Sequence, residues 1–217
     1  MILETERLIL RPWCEEDAEE LFGLARDPEV GLPAGWPAHK SAEESREIIK
    51  RVFSAPEIYA VRLKESGKIV GCIGFHRNDL AADRDEYELG YWAGKAFWGQ
   101  GIIPEAAREL LRHAFNHLNI ERIWCGYYEG NERSRRVQEK LGFLYHHTTE
   151  KIELPLLGET RTVHARLMTR ERFNKVELFL AQKQTLDTFL SNGAITSAQY
   201  NKSFGDLKAF MNMQAVK

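Results

Sequence analysis

The chain has 217 residues, room for one domain of ordinary size and an appendage. Thirty Lys and Arg stand against 32 Asp and Glu, a net charge of -2, so nothing pulls the whole surface toward nucleic acid or an acidic membrane. The 43% hydrophobic and 29% charged composition excludes a disordered chain.

No apolar run approaches the roughly 18 residues that a membrane span needs. The acidic start Met1-Ile2-Leu3-Glu4-Thr5-Glu6-Arg7 is not a signal peptide, so a cytoplasmic protein is expected. Cys14, Cys72 and Cys125 are odd in number and far apart, which argues for reduced thiols and against a disulfide framework or zinc site.

In chain order, Leu8-Ile9-Leu10-Arg11-Pro12 makes a first strand stopped by proline. Ala18, Leu21, Phe22 and Ala25 fall at helical spacing over 15–26. Residues 28–37 form a loop broken by Pro28, Gly31, Pro33, Gly35 and Pro37. Ser41 caps a helix to about Phe53, with Glu44 as its capping-box partner. Strands over 58–63 and 69–76 pair as a hairpin, and a polar, acidic loop over 78–85 leads to a strand over 87–93. Residues 104–118 make a strongly amphipathic helix, 122–128 a strand, and 131–141 a short helix stopped by Gly142. Two more strands follow over 143–154 and 160–168.

Hairpins mixed with strand–helix–strand crossovers predict an α/β (α+β) fold. Its sheet would be mixed, largely antiparallel and twisted, of about seven strands, with helices on both faces. That domain would span 1–172. Residues 173–217 would form a C-terminal helical hairpin with one apolar face of Leu178, Phe179, Leu186, Phe189 and Leu190, and another of Phe204, Leu207, Phe210 and Met211. Helices this short cannot bury such faces alone, so docking or a homodimer through the hairpin is expected.

The chemistry concentrates in Tyr87-Glu88-Leu89-Gly90-Tyr91-Trp92 and Phe97-Trp98-Gly99-Gln100-Gly101-Ile102-Ile103-Pro104. A strand runs into a glycine turn that opens a helix. First-turn amides without internal acceptors, at the positive end of the helix dipole, bind an anion. Pro104 stands at the third position of a dinucleotide fingerprint, and no Gly-Lys-Ser/Thr is present, so neither that fingerprint nor a Walker loop fits. Farther on comes Asn131-Glu132-Arg133-Ser134-Arg135-Arg136-Val137-Gln138-Glu139-Lys140-Leu141-Gly142-Phe143.

The two segments together, with the strand between them, resemble the GNAT superfamily of N-acetyltransferases. The start at Glu4-Thr5-Glu6-Arg7-Leu8 and the Glu88-Leu89-Gly90-Tyr91-Trp92 strand resemble its RimJ/RimL-like branch, whose named members acetylate the α-amine of ribosomal proteins. The likeness covers residues 1 to about 170. It departs at Ala96, where Gln or Arg is frequent, and at Gln138, where many members carry a tyrosine that protonates the leaving thiolate.

The resemblance implies acetyl-CoA as co-substrate, no metal, and direct transfer to a primary amine such as a protein N-terminus. The alternatives are an aminoglycoside- or polyamine-like acceptor and a non-catalytic acyl-CoA sensor. It implies a pyrophosphate grip at Trp98, Gly99, Gln100, Gly101, Ile102 and Ile103, and carbonyl polarisation by a backbone amide of Tyr91 or Trp92.

Glu88 is the candidate base, with Glu86 its competitor on the same strand face. Ser134 is the candidate proton donor or hydrogen-bond donor to sulfur, unless its bond is purely local. Asn131 binds pantetheine or caps its helix. Arg133, Arg135 and Arg136 meet the 3′-phosphate or form a solvated face. Trp36 and Trp98 line the acceptor pocket or pack in the core. Asp79, Asp83, Asp85 and Glu86 attract a cationic amine or form a plain acidic turn. His113 and His117 are expected on a solvated edge, and His146 and His147 on opposite sides of a strand. Neither pair is expected to bind a metal.

Overall fold

In the computed structural model, which describes residues 1–77, 80, 86–213 and 216, the strands form one sheet in the order β1-β2-β3-β4-β5-β6-β8-β7. The strands are β1 (Leu3–Glu4), β2 (Leu8–Pro12), β3 (Ile58–Leu63), β4 (Ile69–Arg77), β5 (Tyr87–Ala93), β6 (Arg122–Tyr128), β7 (Leu144–Leu154) and β8 (Glu159–Thr169). The helices are α1 (Ala18–Ala25), α2 (Pro28–Gly31), α3 (Ala42–Ile48), α4 (Ile102–Asn116), α5 (Glu132–Leu141), α6 (Arg170–Ser191) and α7 (Ser197–Met211). β1, two residues long, is too short to show a pattern in sequence and makes the sheet eight-stranded. All neighbours are antiparallel except β5 and β6. Among the described residues no helix is long and apolar enough to cross a membrane.

Strand alternation divides the core in two. Tyr59, Val61, Ile73, Phe75 and Leu89 meet the apolar stripe of α4, which includes Ala106, Leu110 and Phe115. Ala60 and Cys72 point the other way and meet Leu21 and Ala25 of α1 and Ile49 at the end of α3. Helices therefore cover both faces. Each fully buried Leu or Phe here contributes about 1.5–3 kcal/mol.

Residues 28–37, expected to be a loop, instead hold α2 and a 3-10 turn, Leu32–Ala34. Pro28 sits at the first helical position behind Asp27, whose carboxylate accepts from the Glu29 amide, so proline begins this helix rather than breaking it.

Two histidine expectations are corrected. His113 is not on a solvated edge: it is 2% exposed, with Nε2 3.2 Å from Glu57 Oε2, while His117 is exposed. Position 113 lies three after Leu110 and seven after Ala106, within the buried stripe of α4. His146 and His147 do not face opposite sides. A bulge between Tyr145 and His147 breaks the alternation and brings the two Nδ1 atoms within 2.9 Å, both rings edge-on to Trp124.

α6 starts directly after β8, its first turn capped by Thr169. Phe173 stacks on Phe115 at 4.7 Å, and Val176 and Phe179 pack with Met211, Met213 and Val216. A Cβ on Gly142 would lie 2.6 Å from Val176, and Gly142 has φ +91°, so glycine is required there by both conformation and packing. The expected apolar faces of the hairpin are split. Phe179 is fully buried, while Leu178, Phe189 and Phe210 are 53%, 46% and 89% exposed.

Candidate active site

The site starts with a failure of pairing. β5 and β6 run parallel but match only at Tyr87 with Ile123 and Glu88 with Trp124. Beyond that point β5 stays with β4 through Ala93, and β6 stays with β8 through Tyr128. The strands part, and a cavity of about 630 Å³ opens between their inner edges.

The hydrogen-bond register tells which backbone groups face it. Gly94 donates to the Val70 carbonyl at 2.9 Å, so by alternation Trp92, Gly90 and Glu88 exchange bonds with β4. Leu89, Tyr91 and Ala93 point away from β4. The Leu89 carbonyl accepts from Cys125 Sγ at 3.3 Å, and the Ala93 carbonyl accepts from Trp98 Nε1 at 2.8 Å. The Tyr91 amide is therefore the one of the expected pair that faces the gap. Trp92 borders the cavity, but its amide is turned toward β4.

At one end of the cavity lies the glycine turn. Gly99 and Gly101 both have φ +76°, the left-handed region that costs other residues about 1–2 kcal/mol. A Cβ on Gly99 would meet nothing within 4 Å, and one on Gly101 only Arg7 Nη2 at 3.6 Å. The space beside both is open. The first bond of the α4 ladder runs from the Glu105 amide to the Gly101 carbonyl, so the Ile102 and Ile103 amides precede it. The helix begins at Ile102, two residues before the expected start, because left-handed Gly101 serves as its cap.

The turn is held from outside. Glu105 accepts bonds from the Thr5 hydroxyl, the Arg7 amide and Arg7 Nε, and Arg7 Nη1 donates to the Gln100 carbonyl at 3.1 Å. Thr5 and Arg7 of the N-terminal segment thus have a physical role in fixing the loop. Burial alone would raise the Glu105 carboxyl, but Thr5 and Arg7 outweigh it and hold it below its usual value. A depressed carboxyl adds stability above its unfolded-state pKa and loses it as pH falls through the folded one. Glu105→Gln is therefore expected to be less stable than the parent at pH about 7, and the gap to close below about pH 4. Urea melts at the two pH values measure it, and a gap that is independent of pH would contradict it.

Glu88, Tyr91, Trp92, Trp98, Gly99, Gly101, Ile102, Ile103, Asn131, Arg133, Ser134 and Arg136 all line the cavity. Gln100 does not: its side chain turns back to donate to the Ala96 carbonyl, because its exposed position faces away from the gap. Arg135 is also outside, paired along its own helix with Glu132 and Glu139. Trp36 packs against Trp92 in the second core, ring centroids 5.8 Å apart, and is not part of the cavity wall. Arg133 lies over the Trp98 ring at 3.8 Å, joining α5 to the glycine turn across the mouth. The Asn131 carboxamide oxygen accepts from the Ser134 amide, the cap arrangement, and its nitrogen donates to the Pro33 carbonyl at 3.1 Å.

The two candidate carboxylates separate. Glu86 accepts from Trp124 Nε1 and pairs with Arg122, and it is not part of the cavity wall. Glu88 reaches into the gap beside Gly126, where a Cβ would lie 3.4 Å from Glu88 Oε1. Burial, then the charge of Glu88, pushes the Tyr128 phenol up. Asp79, Asp83 and Asp85 of the acidic loop lie outside the described residues.

Several wall residues escaped the sequence reading: Gly126, Tyr128, Glu153, Val163 and, at the adjoining vestibule, Arg161. Arg161 donates to the Leu32 carbonyl at 2.7 Å and so ties β8 to the 32–34 turn. Gly126 was the available signal, since a glycine inside a strand marks close approach.

The chain matches the model of the acetyltransferase (GNAT) domain over residues 7–144 and belongs to that family. It is 30% identical over 160 residues to the Bacillus subtilis protein YkkB, covering 71% of this chain and 91% of that one. It is 25% identical over 146 residues to the Escherichia coli ribosomal-protein-serine acetyltransferase, covering 64% and 80% of the two chains. Among solved structures, a GNAT-family acetyltransferase from Bacillus anthracis shares the fold, with a TM-score of 0.70, 24% identity and coverage of 79% of this chain and 99% of that one. So does the microcin C7 self-immunity acetyltransferase MccE, solved with acetyl-CoA and AMP, with a TM-score of 0.64, 21% identity and coverage of 76% and 93%. The protein is thus an N-acetyltransferase of the GNAT family.

Proposed function

We propose that the chain moves an acetyl group from acetyl-CoA directly to a primary amine, with a protein N-terminal α-amine as the acceptor. The observation that carries this is the parting of β5 and β6 beyond Glu88, which places the glycine turn and a carboxylate on one cavity. The open space beside Gly99 and Gly101 and the Ile102 and Ile103 amides fit a pyrophosphate. Bound there, acetyl-CoA supplies the activated acyl group.

Glu88 takes the proton of the attacking amine. The Tyr91 amide donates to the thioester carbonyl oxygen, where charge develops. Ser134 donates to the departing sulfur. Arg133 and Arg136, exposed at the cavity edge, meet the 3′-phosphate. The acceptor enters between the 32–34 turn and β8, past Tyr128 and Glu153. The name of the Escherichia coli relative, a ribosomal-protein-serine acetyltransferase, supports a protein as acceptor.

The test is calorimetry with CoA, followed by thiol release from acetyl-CoA against N-terminal peptides, polyamines, aminoglycosides and amino acids. Release with peptides is the expected result. Release with small amines alone would move the acceptor class. Saturable CoA binding with no release would make the chain a sensor, and absence of CoA binding would end the proposal.

A further inference from the structure

Where β5 and β6 part, three polar side chains converge. Ser134 Oγ can accept two hydrogen bonds and donate one. Gln138 Nε2 donates to it at 3.2 Å and to the Gly126 carbonyl at 2.9 Å, and Gln138 is fully buried. The Tyr91 phenol lies 3.0 Å from the same Ser134 oxygen and 3.2 Å from the Ser134 carbonyl. That carbonyl lies within α5, where the helix ladder already uses it.

The phenol has one proton. Given to the Ser134 hydroxyl oxygen, it fills the second lone pair, and the hydroxyl proton is left to point into the cavity. Given to the carbonyl, it leaves the phenol oxygen free, and the hydroxyl proton turns to it and away from the cavity. The shorter contact, to the hydroxyl oxygen, favours the first arrangement.

We propose that Tyr91 and Gln138 are positioning residues that together aim the Ser134 hydroxyl proton at the departing sulfur. The inference rests on the acyl-transfer reading of the cavity. In the step, the amine nitrogen bonds to the carbonyl carbon, the C–S bond breaks, and sulfur leaves with the electron pair. The amine proton passes to Glu88 and then to solvent. The sulfur, held by the Ser134 hydrogen bond, takes its proton from solvent. Burial, with a smaller push from Cys125, raises the Tyr91 phenol well above its ordinary value, so it stays a donor throughout the working pH range.

The decisive readout is the leaving group. With acetyl-CoA, Tyr91→Phe in the full chain is expected to lower kcat about tenfold with KM and CoA affinity within about twofold. With 4-nitrothiophenyl acetate, whose thiolate departs without help, the same variant should lose less than about threefold. Ser134→Ala should show the same donor dependence, and the double variant should be no worse than Ser134→Ala alone. Gln138→Met, which keeps the buried volume, should repeat the pattern at smaller amplitude and serves if Tyr91→Phe does not fold. Equal losses on both donors, additive effects, or no loss would overturn the proposal. CoA binding by the unaltered chain tests the acyl-transfer reading separately.

Discussion

Glu88→Gln is expected to lower turnover about a hundredfold and to leave CoA affinity within about twofold, the size and pattern that follow when a general base is lost. Glutamine keeps the shape and one acceptor, so the wall beside Gly126 is preserved and the change is confined to proton acceptance. The strand supplies the geometry. Alternation along β5 sends Glu88 to one face and Tyr91, with its Ser134 contact, to the other. In the proposed reaction the amine is deprotonated on one side of the open edge and the sulfur is received on the other, with the Tyr91 amide in the edge between. Glu86→Gln is the comparison. It removes the charge that pairs with Arg122 and leaves Trp124 a neutral, weaker acceptor, and should affect melting rather than turnover. Thiol-release kinetics with calorimetry measure both, and unchanged turnover in Glu88→Gln would dismiss Glu88 as the base.

Much of this site is written locally. β5 and β6 have the bounds their patterns predict, and Ser41, Asn131 and Gly142 cap their helices as their residue types require. The gap between β5 and β6 is different. It arises because the chain between them, through α4, returns β6 in register for only two residue pairs, and no residue pattern in either strand encodes that. The same reason hid Tyr128, Val163 and Arg161, which reach the site from β6 and β8 only through sheet order. Gln138 looked like the loss of a catalytic tyrosine. Its buried bonds to Gly126 and Ser134 appear only once α5 is laid on β6. Local rules also misled at 146–147, where one bulge reverses the alternation on which the reading of both histidines rested.

Gly101→Ala separates backbone strain from ligand binding, and it is the most direct probe of the cradle. At φ +76° an alanine costs about 1–2 kcal/mol, which in a chain of this size lowers Tm by a few degrees. The added carbon meets only the tip of Arg7, so the protein itself has room for it. The ligand side is less tolerant. A backbone that relaxes toward negative φ turns the 101–103 amides away from a pyrophosphate, and each lost charge-assisted bond costs about 1.5–3 kcal/mol. CoA affinity should therefore fall about tenfold to a hundredfold. Gly158→Ala is the matched control. Its φ is +65°, its Cβ meets nothing within 4 Å, and it lies in the β7–β8 turn outside the cavity wall. The two variants should melt alike, and only Gly101→Ala should lose CoA in calorimetry. If both bind CoA as the parent does, the glycine turn is not where the anion sits.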